Sequence, residues 1–258
     1  MIKRIYRSKT DIENLSKLRT AISNEVDNFN YKKVVVEKPW GYEYLMFENQ
    51  YAAIWLLYLK RGHATSMHCH PNKKSSLIVL SGNVICSTLE GWMPRVAGEG
   101  LIIDEAVFHS TKAISRPGSY VIEVESPPNK KDLVRLRDEY GRENQEYEGE
   151  DKMSRDISRY KYIDFHDSTY SEKCTKKFKG CLLSICKSEN PPDIHEQLKK
   201  ERAHLICMLK GRFHDHEGNI ILATGEVAPL LKILSKKQIV AFGGIIYLTI
   251  YYPRWQQK

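Results

Sequence analysis

The spacing of hydrophobic residues predicts a helix at the start of the chain. Apolar side chains recur there at intervals of three and four residues, which is typical of an amphipathic helix over residues 10–29. The positions that carry this spacing are Ile12, Leu15, Leu18, Ile22 and Val26. Thr10 and Glu13 fit a capping box at its N-terminus. We expect this helix to pack on the main body or on a partner subunit.

The pattern then changes to short apolar runs that are broken by Gly, Pro, Asn and Ser. Such runs predict β-strands, and many short strands at regular spacing indicate a sandwich or a barrel. In the first part of the chain the predicted strands are 42–47, 53–59, 66–70, 76–80, 83–88, 100–103, 110–113 and 119–125. After a polar stretch, a second series is predicted at 181–186, 204–209, 219–223, 232–234, 239–241 and 245–252.

These patterns divide the chain into four segments. Residues 1–30 form a helical segment, 31–127 a first β-rich body and 161–258 a second one. Residues 128–160 are polar and highly charged, and we interpret them as a linker that wraps the first body and includes a short helix around 131–140.

The second body weakly repeats the first. Residues 205–211 repeat the pattern of 77–82, in which an apolar run is followed by one polar residue and a glycine. When Gly211 is aligned with Gly82, Gln197 and Lys199 fall where the first body has His68 and His70. The second copy therefore lacks this histidine pair, and we expect it to bind no metal.

Composition narrows the class of protein. The 258 residues are 41% hydrophobic and 28% charged, as in ordinary globular proteins, and no apolar run is long enough to cross a bilayer. The net charge of +8 comes from basic residues that are mixed with acidic ones and form no nucleic-acid-binding motif. The six cysteines include no CxxC pair and predict reduced thiols. With no secretory signal visible, we expect a cytoplasmic protein.

Three histidines are the strongest chemical signal. His68 and His70 are two residues apart on a predicted strand, so their side chains point to the same face. His109 comes from a separate strand. Three imidazoles that converge from two strands can hold one divalent transition metal and leave positions open for substrate; Zn, Fe, Mn and Ni all remain candidates. The competing interpretation is a set of barrel histidines without a metal.

The order and spacing of these residues resemble the two motifs of the cupin superfamily. The first motif is matched by Gly62, the His68-x-His70 pair and Gly82, and the second by the segment 104–109 that ends in His109. The resemblance implies a mainly all-β fold with two tandem cupin-type β-barrels, or jelly rolls, after an N-terminal helix. It departs from the family at Ser75, where cupins have a glutamate ligand, and at Asp104 and Ala106, where they have proline and glycine. Asp104 or Glu105 is a candidate for the missing carboxylate.

A narrower resemblance concerns residues 34–145. The segment Lys38-Pro39-Trp40-Gly41 and the segment 132–142 are similar to the opening and closing segments of the cupin domain in type II mannose-6-phosphate isomerases. This similarity implies a metal-dependent isomerase or epimerase that acts on a sugar phosphate or a nucleotide sugar.

Candidate roles follow from this interpretation. Glu123 or Glu125, which share a strand face, or Lys74 would move the proton. Basic side chains near the histidine strands would bind an anionic substrate; the candidates are Arg61, Lys73 and Lys112. The alternatives are a solvated rim position for each basic residue, which the sequence favours for any one of them taken singly, and ordinary cross-strand pairing with Lys or Arg for the two glutamates.

Two other functions remain open. Some cupin thiol dioxygenases use three histidines and no carboxylate, so an Fe(II) dioxygenase is one alternative. A sugar-binding module without catalysis is the other. We expect no nucleic acid or membrane partner, and exposed sheet edges suggest a homodimer by analogy with the fold.

Overall fold

The structure is a computed structural model that describes residues 1–18, 27–143, 145, 147–167, 172–189, 191 and 193–253. Within these residues there are three short α-helices among many β-strands. The helices are α1 (Lys9–Lys17), α2 (Ile194–Lys200) and α3 (Leu230–Leu234). The prediction of a mainly all-β protein is confirmed. No helix of the described part is long and apolar enough to cross a membrane.

Thirteen strands build the first body and the segment that follows it. They are β1 (Ile2–Ile5), β2 (Val35–Lys38), β3 (Gly41–Glu48), β4 (Ala53–Lys60), β5 (Met67–Cys69), β6 (Lys74–Ser81), β7 (Asn83–Thr88), β8 (Gly91–Val96), β9 (Gly100–Ile103), β10 (His109–Ala113), β11 (Gly118–Ser126), β12 (Val134–Arg137) and β13 (Met153–Ser154). One sheet has the order β1-β9-β6-β11-β4-β3-β2-β13, and the facing sheet has the order β12-β5-β10-β7-β8.

The eight strands from β4 to β11 follow the order of a jelly roll. Counted along the chain, the sixth, third, eighth and first are neighbours in one sheet, and the second, seventh, fourth and fifth in the other. This is the double Greek key that cupins and several other families share. The order makes β5 and β10 neighbours although some forty residues separate them, which brings the two histidine motifs together.

The sequence of strand β11 does not alternate simply between polar and apolar residues. Both of its faces are buried. Tyr120, Ile122 and Val124 point away from the barrel and join a core that continues into the second body. Val121, Glu123 and Glu125 have the opposite parity and point into the barrel. A strand that is covered on both sides forms a nearly continuous apolar run, so the two interior glutamates are exceptions that need a reason.

The second body repeats this strand order with one strand missing. Its strands are β14 (Lys173–Phe178), β15 (Cys181–Ser188), β16 (Leu205–Lys210), β17 (Arg212–Asp215), β18 (Ile220–Ala223), β19 (Val227–Pro229), β20 (Ile239–Val240) and β21 (Ile245–Tyr251). The orders β15-β21-β16-β19 and β20-β17-β18 match those of the first body if helix α2 stands in for the second strand. Gly82 and Gly211 occupy the equivalent turn and both have a positive φ.

The two bodies share one hydrophobic core. The outward face of β3, β4 and β11 packs against the sheet of the second body through residues such as Phe178, Leu183, Leu205 and Leu248. Polar contacts tie the same faces together, since the Ser76 hydroxyl donates to Gly225 O (2.7 Å) and the Tyr252 hydroxyl donates to Val79 O (2.9 Å). A separate apolar cluster fills the interior of the second body.

The N-terminal helix differs from its prediction. It starts at Lys9, and its capping box is formed by Ser8 and Asp11, so the prediction of Thr10 and Glu13 was wrong. Leu18 caps the C-terminus, residues 19–26 lie outside the described residues, and residues 27–30 are not helical. The physical reason is that Ser8 and Asp11 already satisfy free backbone N–H groups of the first turn, two residues before Thr10 could do so.

Two predicted elements of the charged segment and of the second body are also corrected. The helix predicted around 131–140 is strand β12, which pairs with β5 beside the histidines. The strand predicted at 232–234 is part of helix α3. In both cases tertiary pairing or packing decides a short, ambiguous apolar pattern. Strand β8 was missed because its sequence contains Pro94, which argues against a strand. It lies at the edge of its sheet, where proline is tolerated.

The six cysteines form no disulfides. Most are buried in the apolar cores, and burial raises the pKa of the Cys86 thiol to about 11. Thiols in such surroundings are inert structural side chains.

Candidate metal centre

His68, His70 and His109 meet at one end of the first barrel. His68 lies on β5 and pairs directly with His109, the first residue of β10. His70 follows β5 directly and points to the same side as His68. The ring centroids are 4.5 Å apart for His68 and His109, 5.0 Å for His68 and His70, and 5.4 Å for His70 and His109. One ligand atom from each ring lies within 4.8 Å of the others.

Each ring is held by a hydrogen bond from Nδ1 to a backbone carbonyl. The distances are 2.8 Å from His68 to Ser66 O, 3.0 Å from His109 to Val107 O, and 2.7 Å from His70 to Asp132 O. A carbonyl can only accept, so the hydrogen is on Nδ1 and the lone pair of each neutral ring is on Nε2. Histidine ligands of metals are usually oriented by such a bond.

The protonation of the rings also fits metal binding. Burial, together with the neighbouring imidazoles, holds the pKa of His68 well below its ordinary value. Burial and the charge of His70 lower the pKa of His109 to about 4. Both rings are therefore neutral at pH 7, the form that binds a metal. His70 Nε2 is buried and has no hydrogen-bond partner among the described residues, as expected of an atom whose partner is an ion.

Glu123 is the carboxylate that reaches this site. Its Oε1 lies 3.5 Å from His70 Nε2, and both side chains are buried. Burial alone raises the pKa of Glu123, but the contact with His70 and the ammonium group of Lys130 outweigh it, so the pKa is well below its ordinary value. Ser75 lies on the adjacent strand β6, opposite Glu125, and its buried hydroxyl has no partner among the described residues.

A network of buried charges lines the cavity beside the histidines. Lys73 pairs with Glu125 (3.0 Å), and Lys130 pairs with Glu125 (2.8 Å) and lies over the ring of Trp55 (3.8 Å). Beyond them, Glu148 is paired with three cations, namely Lys38, Arg135 and Arg142, and the Tyr147 hydroxyl donates to Glu43. A charge in such a place is tolerated only if it is paired, so these contacts fix the wall of the cavity.

The structure places the other candidate residues differently. Of the basic candidates, only Lys73 lines the cavity. Lys74 is the next residue along the chain from Lys73 and does not line the cavity. It pairs instead with Glu226 of the second body (3.0 Å). Arg61 is exposed, and Lys112 lies on β10 outside the cavity. Asp104 lies near Arg4 (3.7 Å) and does not line the cavity, and neither does Glu105.

Several cavity residues were missed as site residues, although the sequence held a signal for them. Lys38 and Trp40 belong to the segment 38–41, and Arg135 and Arg142 belong to the segment 132–142, which are the two segments singled out from the sequence. The two segments meet because β2 leads into the barrel and β12 pairs with β5. No local pattern identifies Glu43, Lys130, Tyr147 or Glu148.

The cavity has an inner and an outer part. The inner part, next to the histidines, has about 50 Å³ of free space, which holds a few water molecules at roughly 10–15 Å³ each. The outer part has about 470 Å³ and shares Lys38, Arg142, Tyr147 and Glu148 with the inner one. The two parts therefore border each other at these four shared side chains.

The backbone before His109 turns through a residue in the left-handed region. Ala106 has a φ of 61°, a conformation that favours glycine, and its N–H donates to His70 O (2.8 Å). The N–H of Phe108 donates to the carboxylate of Asp11 on helix α1 (3.0 Å). The helix therefore helps to position the turn that delivers His109.

Comparison with known proteins gives likenesses of fold only. No protein-family model and no curated protein matches the chain. Among solved structures it is similar to KdgF from Halomonas sp., with 16% identity, a TM-score of 0.34, and coverage of 36% of this chain and 84% of that one. It is also similar to the capsular polysaccharide assembling protein CapF from Staphylococcus aureus, with 16% identity, a TM-score of 0.36, and coverage of 40% and 34%.

A third likeness is to a protein from Klebsiella pneumoniae with a double-stranded β-helix domain, with 12% identity, a TM-score of 0.35, and coverage of 47% of this chain and 95% of that one. Matches at this level carry no conclusion about substrate or reaction.

Proposed function

We propose that this chain is a metal-dependent isomerase or epimerase of the cupin type that acts on a small anionic sugar, such as a sugar phosphate or a nucleotide sugar. The observation that carries the proposal is the convergence of three buried histidines, each fixed through Nδ1, on one point beside a buried carboxylate. The metal is a divalent transition ion. When bound, it supplies the positive charge that polarises a carbonyl group and stabilises the oxygen as negative charge develops.

The residues of the chain would divide the remaining work. Glu123 would accept the proton from the carbon next to the carbonyl and return it to the former carbonyl carbon, while the hydroxyl hydrogen moves from one of the two neighbouring oxygens to the other. The two shifts together balance the isomerisation. Lys73 keeps Glu125 paired, and Lys130 bridges Glu125 to Glu43, so the wall holds its shape while charge moves. Lys74 pairs with Glu226 of the second body, so the proposal gives the proton transfer to Glu123 instead.

The charge of the cavity supports an anionic substrate. Among the described residues, five cationic and four anionic side chains line the inner part. The cations are Lys38, Lys73, Lys130, Arg135 and Arg142, and the anions are Glu43, Glu123, Glu125 and Glu148. Together with a divalent metal, the site carries a net positive charge, which favours binding of an anion.

Solvent-deuterium exchange tests the reaction. The metal-loaded protein is incubated in D₂O with mannose 6-phosphate, and proton NMR follows loss of the hydrogen on the carbon next to the carbonyl. We expect exchange that depends on added metal and is abolished in His109→Ala. Oxygen uptake by the iron-loaded protein without exchange would instead indicate a dioxygenase, and sugar binding without either would indicate a non-catalytic module.

A further inference from the structure

We propose that Glu123, through Oε1, is the fourth, acidic ligand of the metal, and that it replaces from strand β11 the carboxylate that Ser75 does not provide on β6. Its second carboxylate oxygen then remains for the proton transfer of the proposed function. The inference deepens the proposed function, since it rests on the same metal site. It assigns the acidic ligand to a strand different from the one that carries it in the motif.

The distance between Glu123 and His70 supports a shared ion better than a direct hydrogen bond. Glu123 Oε1 is 3.5 Å from His70 Nε2, whereas N–H···O bonds are about 2.7–3.2 Å long. Two ligand atoms that are each about 2.1 Å from one metal, at angles of about 90–109°, lie about 3.0–3.4 Å apart. The observed separation is within a few tenths of an ångström of that range.

The hydrogen positions give a second, independent reason. His70 donates from Nδ1 to Asp132 O (2.7 Å), so Nε2 of the neutral ring carries a lone pair. That lone pair faces a buried carboxylate oxygen, and neither atom has a hydrogen to give. Two electron-rich atoms are stable in this arrangement only if a cation lies between them or if His70 is protonated.

Register explains how the carboxylate can change strands. Ser75 of β6 pairs with Glu125 of β11, and Leu77 pairs with Glu123, so all four side chains point into the same barrel. Lys73 and Lys130 form their close ion pairs with Glu125 and Glu43. In the described part of the chain, the one close contact of Glu123 with a basic side chain is to His70, which leaves its carboxylate for the metal.

Metal affinity tests the assignment without any assay of activity. Metal-free wild type, Glu123→Gln and Glu43→Gln are titrated with Co²⁺ in competition with a chromophoric chelator, and the visible spectrum of the bound Co²⁺ is recorded. Glu43→Gln is the matched control, since it removes a second buried carboxylate of the same cavity whose ion pairs, in the described part of the chain, are with Lys38 and Lys130 and not with the histidines. We expect Glu123→Gln to weaken binding at least tenfold and to change the spectrum, and Glu43→Gln to weaken it less than threefold.

The outcomes separate this inference from the proposed function. If wild type binds no metal, both fail. If wild type binds Co²⁺ and Glu123→Gln binds it equally well with the same spectrum, Glu123 only forms an ion pair with protonated His70, and this inference alone is overturned. Should Glu123→Gln not fold, a crystal structure of metal-loaded wild type decides. A metal–carboxylate bond to Glu123 supports the assignment, and a metal without this bond overturns it.

Discussion

The three histidines are fixed in two different ways. His68 and His109 each donate to a carbonyl two residues earlier in their own segment, Ser66 and Val107. His70 donates to Asp132, which lies in the closing segment, and the carboxylate of Asp132 in turn accepts from the backbone and side chain of Asn72 (2.9 Å each). Two of the rings are therefore positioned locally, while the third depends on a chain segment 62 residues away.

The neutral histidines predict a loss of stability in acid. His109 has a pKa of about 4 in the folded, metal-free protein and about 6.5 in an unfolded chain. The unfolded state therefore takes up the proton first, so stabilisation that is complete above pH 6.5 is lost as the pH falls towards 4. A shift of this size corresponds to about 3 kcal/mol.

Urea unfolding of the metal-free protein between about pH 7 and pH 5 measures this effect. His109→Asn lacks the titrating group, so its free energy of unfolding should fall less steeply over the same range. Equal slopes for the two proteins would show that His109 does not titrate in this way.

Helix α1 stabilises the first body through one side chain. Asp11 accepts from Ser8 in the capping box and, with its other oxygen, from the N–H of Phe108 (3.0 Å). Asp11 is buried, whereas most of the helix is exposed. The helix is thus anchored at its first turn to the loop that precedes His109.

Asp11→Ala should destabilise the protein by about 2 kcal/mol, because it removes a helix cap and leaves a buried N–H without an acceptor. Glu13→Ala, on the exposed side of the same helix, should change stability by less than about 0.5 kcal/mol. Thermal or urea unfolding measures both. Equal effects of the two substitutions would mean that the contact with Phe108 contributes nothing.

Elements were predictable from the sequence where the pattern is local. The histidine spacing and the Gly82 turn predicted where the strands that carry the histidines lie. His68, His70 and His109 do converge. The jelly-roll strands other than β8 were found because each is a separate short run bounded by turn residues. Strand β12 was mistaken for a helix because its pairing with β5 is set by tertiary structure. Glu43 and Glu148 carry no local signal, since their role arises only when three separate segments meet.

At the scale of the whole molecule, the two bodies are joined by a core that belongs to both. The face of β3, β4 and β11 that packs on the second body is made of large apolar side chains, among them Tyr44, Ile54 and Ile122. Exposed to water, this face would be a large apolar patch. We therefore expect the first body to depend on the second for its stability.

Leu183→Ala tests this dependence. Leu183 is fully buried in the shared core, so its truncation should cost about 2–5 kcal/mol. Trp40 and Trp55 lie in the first body, so tryptophan fluorescence reports its unfolding. We expect the fluorescence midpoint in urea to shift with the substitution. An unchanged midpoint, with loss of structure seen only by circular dichroism, would mean that the bodies unfold separately.

Helix α2 has a consequence for how the chain could change. The positions aligned with His68 and His70 are Gln197 and Lys199, and they lie on a helix, where neighbours two residues apart point in different directions. Replacing both by histidine would therefore not create a second metal centre. A histidine pair in the second body would first require helix α2 to refold as a strand. Single substitutions can therefore change a histidine site only in the first body.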